Sequence, residues 1–244
     1  MHKLTKLFSI VLLMFVVMGC GSSLRTPVRA ADGLHQHIGQ SSAALVKFNK
    51  DGDVMPFCTA VWVSHDELLT AGHCVAHDDD ESGGDPVGDK LYYVVQKEVK
   101  EVVDDPAALH LAKVKAFDAD HDLALIKAVE AGIPEHEVAS LASEMPGVGE
   151  HIFVVGHPRG MYWTFVEGTV SAYRDESVIG KVVQVNATVW YGNSGGGVFD
   201  RDGNLIGICS RLTRVPMMNL FVHLDSAKKF LKEAHEPVPD LSKK

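Results

Sequence analysis

Short apolar runs rich in valine, leucine and isoleucine recur along most of the chain, separated by glycine, asparagine, aspartate and serine. Runs of this kind, bounded by turn residues, are typical of strands in an all-β barrel or sandwich. Two sets of strands are predicted, at 43–48, 57–63, 91–95, 109–116 and 123–128, and at 151–156, 164–172, 182–188, 197–199, 205–209 and 220–224. The segment 131–149 between them contains Pro134 and Pro146, which indicates a connector. The pattern therefore predicts two β units.

One helix is predicted near the C-terminus, over 226–235. Asp225 or Ser226 can cap its first turn, and lysines and apolar residues follow at helical spacing. Pro237 and Pro239 then end the helix, so 237–244 is predicted as a tail.

The N-terminus has the pattern of a targeting segment. Lys3 and Lys6 precede an apolar run over 7–18 that only Ser9 interrupts. Such a run is too short to span about 30 Å of hydrocarbon as a helix, but it suits the middle of a secretory signal. The run ends in Val-Met-Gly-Cys at Cys20, which resembles a bacterial lipobox.

This resemblance implies that 1–19 is a lipoprotein-type signal peptide and that Cys20 is lipidated. The protein would then be anchored to a membrane in the bacterial cell envelope. The alternative is cleavage near Ala30, which would release a soluble secreted or periplasmic protein. Either route takes the chain out of the cytoplasm and into an oxidising compartment, in which disulfides persist. Residues 20–42 are predicted as an N-terminal linker.

Composition narrows the class of function. The 244 residues are 46% hydrophobic and 23% charged, as in an ordinary globular protein. They carry 23 basic and 32 acidic side chains, a formal charge of −9. Removing 1–19 takes away two lysines and no acid, so the charge becomes 21 − 32 = −11. This balance disfavours nucleic acid as a partner, because phosphate binding draws on lysine and arginine.

Three short motifs carry candidate chemistry: Thr-Ala-Gly-His-Cys over 70–74, Asp-Leu-Ala-Leu over 122–125, and Gly-Asn-Ser-Gly-Gly-Gly over 192–197. Taken alone, each motif has a purely structural interpretation: His73 as a histidine of the core, Asp122 as the cap of a turn, and the glycines as part of a hairpin. Together they supply a base, an orienting carboxylate and a nucleophile, Ser194. A serine hydroxyl needs an imidazole to take its proton, and the imidazole needs a carboxylate to hold its tautomer.

The glycines around Ser194 have a chemical reason of their own. The N–H groups of Gly192 and Ser194 would converge on the oxyanion of a tetrahedral intermediate. Losing one such donor typically costs about 100- to 1000-fold in rate. Glycine permits the backbone angles that this arrangement needs.

The three motifs resemble the active-site blocks of the trypsin-like serine proteases, which have the chymotrypsin fold. The resemblance implies an all-β protein with two antiparallel six-stranded barrels and a C-terminal α-helix. It implies a protease domain over 43–236, with barrels at about 43–130 and 146–224. It also implies catalysis by His73, Asp122 and Ser194, and a disulfide between Cys58 and Cys74.

Other segments resemble the bacterial HtrA (Do-like) proteases: Gly-His-Pro-Arg-Gly over 156–160, Val-Glu-Gly-Thr-Val-Ser-Ala over 166–172, and the strand and helix over 220–230. No peptide-binding PDZ domain is expected, because twelve residues follow Lys232. The mammalian Ile-Val-Gly-Gly activation sequence is missing, and Asn193 stands where an aspartate would bind the new terminus. Activation by insertion of a cleaved terminus is therefore not expected.

In the trypsin-like fold, the residues before the nucleophile and the strand after it line the specificity pocket. The resemblance assigns substrate binding to Thr188, Val189, Trp190, Cys209 and Ser210. These residues are neutral, which predicts cleavage after small or medium neutral residues of protein or peptide substrates. Arg211 and His223 lie close by in sequence and would alter this preference if they entered the pocket.

Two groups of residues have the donor atoms of a metal site without its spacing. Cys58, His73, Cys74 and His77 match no common zinc spacing. The acidic segment 78–89 lacks the ordered ligand spacing of a calcium loop. No metal or other cofactor is therefore expected. The alternative function is a catalytically weak protease fold that serves as a binding or chaperone-like module.

Overall fold

The computed structural model describes residues 33–76, 91–95, 109–129, 133–176, 180–211 and 218–236. The predicted signal peptide, Cys20, His77, the acidic segment 78–89 and the tail 237–244 lie outside the described residues. Within the described part of the chain, no helix combines the length and the apolar character needed to cross a bilayer.

The first barrel closes in the order β1-β2-β3-β6-β5-β4, with antiparallel neighbours. Its strands are β1 (Ser42–Phe48), β2 (Val54–Trp62), β3 (Glu67–Ala71), β4 (Leu91–Val95), β5 (His110–Asp118) and β6 (Leu123–Ala128). Alternate side chains of these strands point inward, and Trp62, Leu68, Tyr93 and Ile126 are fully buried in the barrel core.

The second barrel closes in the order β10-β11-β12-β9-β8-β7, again antiparallel. Its strands are β7 (His151–Gly156), β8 (Thr164–Glu176), β9 (Gly180–Val185), β10 (Gly197–Phe199), β11 (Leu205–Arg211) and β12 (Asn219–His223). Ile152, Val183, Val198 and Phe221 fill its core. The prediction of two six-stranded antiparallel barrels is confirmed.

Strand β3 was not among the predicted strands. It contains Glu67, an acid that breaks the apolar pattern but is 5% exposed here. Its carboxylate is buried because Lys115 and His235 contact it. Strand β9 ends at Val185, so residues 186–188, predicted as strand, lie in the loop that leads to the nucleophile motif.

Two helices lie beside the barrels. Helix α1 (Gly33–Gln40) falls inside the segment predicted as a linker, and its Ile38 is fully buried. Eight residues with a glycine near each end give too little periodic pattern to predict a helix. Helix α2 (Leu224–His235) begins two residues earlier than predicted. Its cap is His223, whose Nδ1 accepts a hydrogen bond from Asp225 N, rather than Asp225 or Ser226.

The two barrels share a buried apolar interface. Leu69 and Leu125 from the first barrel pack with Val155, Phe199 and Ile208 from the second. Helix α2 adds Ala227 and Phe230 to the same cluster. This interface fixes the relative position of the barrels, and the three motifs found in the sequence lie along it.

Candidate active site

His73 and Asp122 meet because their strands are paired. His73 lies in a single 3-10 turn, Gly72–Cys74, directly after β3, and Asp122 immediately precedes β6. Ala71 of β3 pairs with Leu123 of β6, which places His73 and Asp122 side by side. His73 Nδ1 is 3.0 Å from Asp122 Oδ1 and 2.9 Å from Oδ2, and the backbone N–H of His73 donates to Oδ1 at 2.8 Å. The carboxylate therefore fixes both the ring and the backbone of His73.

Asp122 is 7% exposed and has a left-handed backbone with φ 53°. Burial acts to raise its pKa, but hydrogen bonds from His73 and Ser210, together with the His73 charge, outweigh that effect. The pKa of Asp122 consequently lies below its ordinary value. The carboxylate is thus ionised at neutral pH and can hold His73 as the Nδ1–H tautomer, which leaves Nε2 to accept a proton.

Ser210 is the second side chain on this carboxylate. It lies in β11 of the second barrel, is 5% exposed, and donates from Oγ to Asp122 Oδ2. The resemblance had assigned Ser210 to substrate binding. In the structure its hydroxyl donates to the Asp122 carboxylate and links the two barrels at that point.

Ser194 lies in the loop before β10, and backbone hydrogen bonds hold this loop on both sides. Thr59 N donates to Ser194 O at 2.7 Å, which ties the loop to the first barrel. Gly195 N donates to Cys209 O at 2.7 Å, and Cys209 N donates to Gly196 O at 2.8 Å. The Ser194 side chain is half-buried at the junction of the barrels.

Two glycines are required by this geometry. Gly195 has φ +80°, and a Cβ there would lie 2.0 Å from Thr70 Oγ1 and 2.1 Å from Thr59 O. Gly192 has φ +103°, and a Cβ there would lie 2.3 Å from His157 O. A side chain at Gly195 would push the loop away from the first barrel, and one at Gly192 would push it away from His157 in the second barrel.

Cys58 and Cys74 form a disulfide that adjoins the site. The Cys74 sulfur is 3.6 Å from Ser194 O, and a His73 ring nitrogen lies within 4.8 Å of both sulfurs. His73 and Ser194 therefore flank the same disulfide. The cluster of Cys58, His73 and Cys74 does not suit a metal, because both sulfurs are bonded to each other and neither is a thiolate.

The backbone of Gly192 is held through its carbonyl. Gly192 O accepts from Thr59 Oγ1 at 2.8 Å and from His157 N at 3.4 Å. The N–H groups of Gly192 and Ser194 donate to no other residue in the described ranges.

A cavity of about 480 Å³ adjoins the loop. Of the residues assigned to substrate binding, Thr188, Val189 and Trp190 line it. The rest of its wall consists of Pro158, Arg159, Met161, Thr164, Val166 and Asn193. The cavity is thus mainly apolar, and among its described lining residues only Arg159 carries a charge.

Cys209, the other residue assigned to substrate binding, lies in the core of the second barrel and is 2% exposed. Burial, with a smaller effect of Asp122, raises the pKa of its thiol far above the ordinary value. The thiol is therefore protonated and unreactive at neutral pH. His223, which the sequence left as a residue that could alter specificity, caps helix α2.

His157 is a buried residue to which the sequence assigned no role. It is fully buried beside Gly192, and its Nδ1 accepts a hydrogen bond from Trp163 N at 3.1 Å. Burial lowers the pKa of His157 to about 3, and the Ala43 backbone only partly opposes this. His157 is the histidine of the motif Gly-His-Pro-Arg-Gly over 156–160. A histidine in such a loop motif does not by itself indicate that the side chain is buried.

The arrangement of a carboxylate, an imidazole and a serine between two barrels agrees with a comparison to known families. The trypsin-like peptidase domain matches residues 58–208, more than half of the chain. The chain belongs to this family. The resemblance of the three motifs to trypsin-like proteases is thereby confirmed.

Relatives of this chain include HtrA-like proteins. A "serine protease HtrA-like" of Staphylococcus aureus (strain MRSA252) is 30% identical over 168 residues, which cover 60% of this chain and 22% of that protein. The matched stretch is therefore about a fifth of the relative's length.

Solved structures show the same fold. An HtrA-type protease AlgW with a tripeptide has a TM-score of 0.66 at 21% identity, over 83% of this chain and 62% of that one. The active form of the Rv3671c protease from M. tuberculosis has a TM-score of 0.65 at 17% identity, over 85% of this chain and 86% of that one.

Proposed function

We propose that this trypsin-like peptidase is a serine endopeptidase in which Ser194 is the nucleophile, His73 the general base and Asp122 the orienting carboxylate. The observation that carries the proposal is the paired contact of His73 Nδ1 and N–H with the buried Asp122 carboxylate, beside the loop of Ser194. Family membership supports the same reaction class.

The reaction proceeds in two halves. Ser194 Oγ attacks the peptide carbonyl while His73 Nε2 takes its proton, and the N–H groups of Gly192 and Ser194 bind the oxyanion. His73 then gives the proton to the leaving amine, and the C–N bond breaks to leave an acyl ester on Ser194. Water, deprotonated by His73, attacks that ester, and Ser194 regains its proton as the acid product leaves.

The apolar cavity supports a substrate preference for small or medium neutral residues before the scissile bond. Val189 and Met161 supply apolar wall, and the described lining residues include no carboxylate that would select lysine or arginine. A peptide library is expected to show cleavage after such neutral residues. Strict cleavage after glutamate, or after lysine and arginine, would contradict this preference.

Export and lipid anchoring are part of the proposal. The pattern at 1–20 supports a lipoprotein signal with Cys20 as the modified residue. N-terminal mass spectrometry of the membrane-extracted protein should find a diacylated cysteine at position 20. An unmodified terminus near Ala31 would support the alternative of soluble export.

Labelling with an organophosphorus serine-hydrolase probe tests the proposed nucleophile. The folded protein should be labelled at Ser194, and Ser194→Ala should abolish both labelling and peptide cleavage. Ser143→Ala is a matched control, because Ser143 is an exposed serine far from the nucleophile loop in sequence. A folded protein that the probe does not label would favour the binding or chaperone-like module instead.

Activity that appears only after a cut near Ala43 would contradict the expectation that no cleaved terminus is needed.

A further inference from the structure

Arg159 is a cation beside the apolar cavity, and the proposed mechanism does not use it. We propose that Arg159 is a specificity-determining residue that selects peptides with an aspartate or glutamate close to the scissile bond. This inference rests on the proposed function and extends it by naming the class of substrate.

The backbone of Arg159 is fixed against the nucleophile loop. Its N–H donates to Tyr191 O at 2.9 Å, and Met161 N donates to Pro158 O at 2.9 Å, which closes the turn. Arg159 has φ 50° and ψ 35°, a left-handed conformation that non-glycine residues rarely adopt. Tyr191 precedes Ser194 by three residues, so their Cα atoms are at most about 11 Å apart. The side chain of Arg159 is therefore within reach of a peptide bound at Ser194.

The guanidinium of Arg159 lies over the ring of Trp190, with 5.1 Å between its Cζ and the ring centroid. Trp190 is 44% exposed, and Arg159 is exposed as well. The aromatic face orients the guanidinium without using its N–H donors. Among the described residues, Arg159 forms no ion pair, whereas Lys115, Lys127 and Lys181 each contact a carboxylate. Its donors are thus oriented and available.

The chemistry of Arg159, Trp190 and the cavity beside them indicates the class of peptide that they bind. Met161, Val166 and Val189 offer apolar surface to a neutral side chain. The planar guanidinium beside them matches a carboxylate, with which it can form two parallel hydrogen bonds. The preferred substrate is therefore a peptide with a neutral residue in the cavity and an acidic side chain within three positions of the scissile bond.

Paired peptide scans test this inference on the full chain. Starting from the best neutral peptide, the neutral residue before the scissile bond is kept and aspartate is placed in turn at each other position within three residues of that bond. Each peptide is compared with its asparagine isostere. At one position kcat/KM for aspartate should exceed that for asparagine by about threefold to fivefold, the range of an exposed ion pair. The ratio should decline at 1 M salt, because salt screens exposed charges.

Arg159→Gln should bring this ratio to about one, and Arg159→Glu should bring it below one. Arg201→Gln is the matched control: it removes the same charge from an exposed arginine in the turn between β10 and β11. This control should retain the ratio of the unmodified protein. A ratio of one at every position, or a ratio that Arg159→Gln does not change, would overturn the role of Arg159. If the organophosphorus probe labels Ser194 of the unmodified protein, the proposed peptidase function still holds. If the probe does not label Ser194, both proposals are overturned.

Discussion

Ser210 donates a hydrogen bond to Asp122 Oδ2, the carboxylate oxygen that lies 2.9 Å from His73 Nδ1. The donor belongs to the second barrel, whereas the acceptor and His73 belong to the first. The orientation of His73 therefore depends on how the two barrels pack, as well as on the pairing of β3 with β6. This dependence makes Ser210 a positioning residue that acts through Asp122.

Ser210→Ala should weaken both the fold and the reaction. It removes a hydrogen bond to a buried charge, which is worth about 1.5–3 kcal/mol of unfolding free energy. It should also raise the pKa of Asp122, because one of the contacts that lower it is lost. We expect kcat/KM to fall on the order of tenfold, which corresponds to about 1.4 kcal/mol of transition-state stabilisation. The acid limb of the pH–rate profile should move to higher pH, because Asp122 would be protonated at a higher pH. Ser210→Thr, which keeps the hydroxyl, should restore part of the loss, and equal activity of Ser210→Ala and the unmodified protein would contradict this role.

Gly195→Ala should destabilise the protein more than a glycine substitution that strains only the backbone. The added Cβ would contact Thr59 O at 2.1 Å, and the positive φ adds strain. Gly52→Ala is the comparison, since Gly52 has φ +90° but no atom within 4 Å of the added Cβ. We expect about 1–2 kcal/mol for Gly52→Ala, from backbone strain alone. In denaturant unfolding, the loss of unfolding free energy should be about 1–3 kcal/mol larger for Gly195→Ala than for Gly52→Ala. Equal losses would mean that the contact with the first barrel is not tight.

Reduction of the disulfide should lower stability and loosen His73. Cys58 and Cys74 are 16 residues apart, and closing a loop of this length stabilises a fold by about 3 kcal/mol. Dithiothreitol should lower the unfolding free energy by about that amount and slow labelling of Ser194. The variant with Cys58→Ala and Cys74→Ala should start from the lower stability and show no further response. A response that persists in this double variant would mean that the reductant acts elsewhere.

Stability should fall as the pH is lowered from about 6.5 towards 3, because of His157. Burial lowers its pKa to about 3 in the fold from the ordinary value of about 6.5, so in this window the unfolded chain binds a proton that the folded chain does not. Unfolding free energy should then decrease by up to about 1.4 kcal/mol per pH unit from this residue. His157→Gln should flatten that slope between pH 6.5 and 4, measured by denaturant titration at each pH. An unchanged slope would show that other groups cause the acid sensitivity.

The fold class could be predicted from the sequence because buried strands repeat a simple apolar pattern between turns. The pattern fails where tertiary contacts stabilise a residue or a segment that the local sequence disfavours. Glu67 interrupts the run of β3, and its burial depends on Lys115 and His235, which are 48 and 168 residues away. Helix α1 is stabilised by packing of Ile38, which its eight residues alone do not indicate.

The candidate site divides in the same way. His73, Asp122 and Ser194 stand in short motifs whose residue types already indicate acid–base chemistry. The contacts of Ser210, the burial of His157 and the position of Arg159 over Trp190 have no such local signature. Each depends on which loops the closed barrels bring together.

Side-chain periodicity and residue type are local properties, and they are enough to predict the β architecture and the chemistry that the three motifs indicate. The groups that share the Asp122 carboxylate are distant in sequence, with His73 49 residues away and Ser210 88 residues away. The contact of Ser210 with this carboxylate, and the cavity lined by Thr188, Val189 and Trp190, exist only in the folded chain. Strand pairing and barrel packing bring such distant residues within hydrogen-bonding distance, and a local pattern contains no information on either.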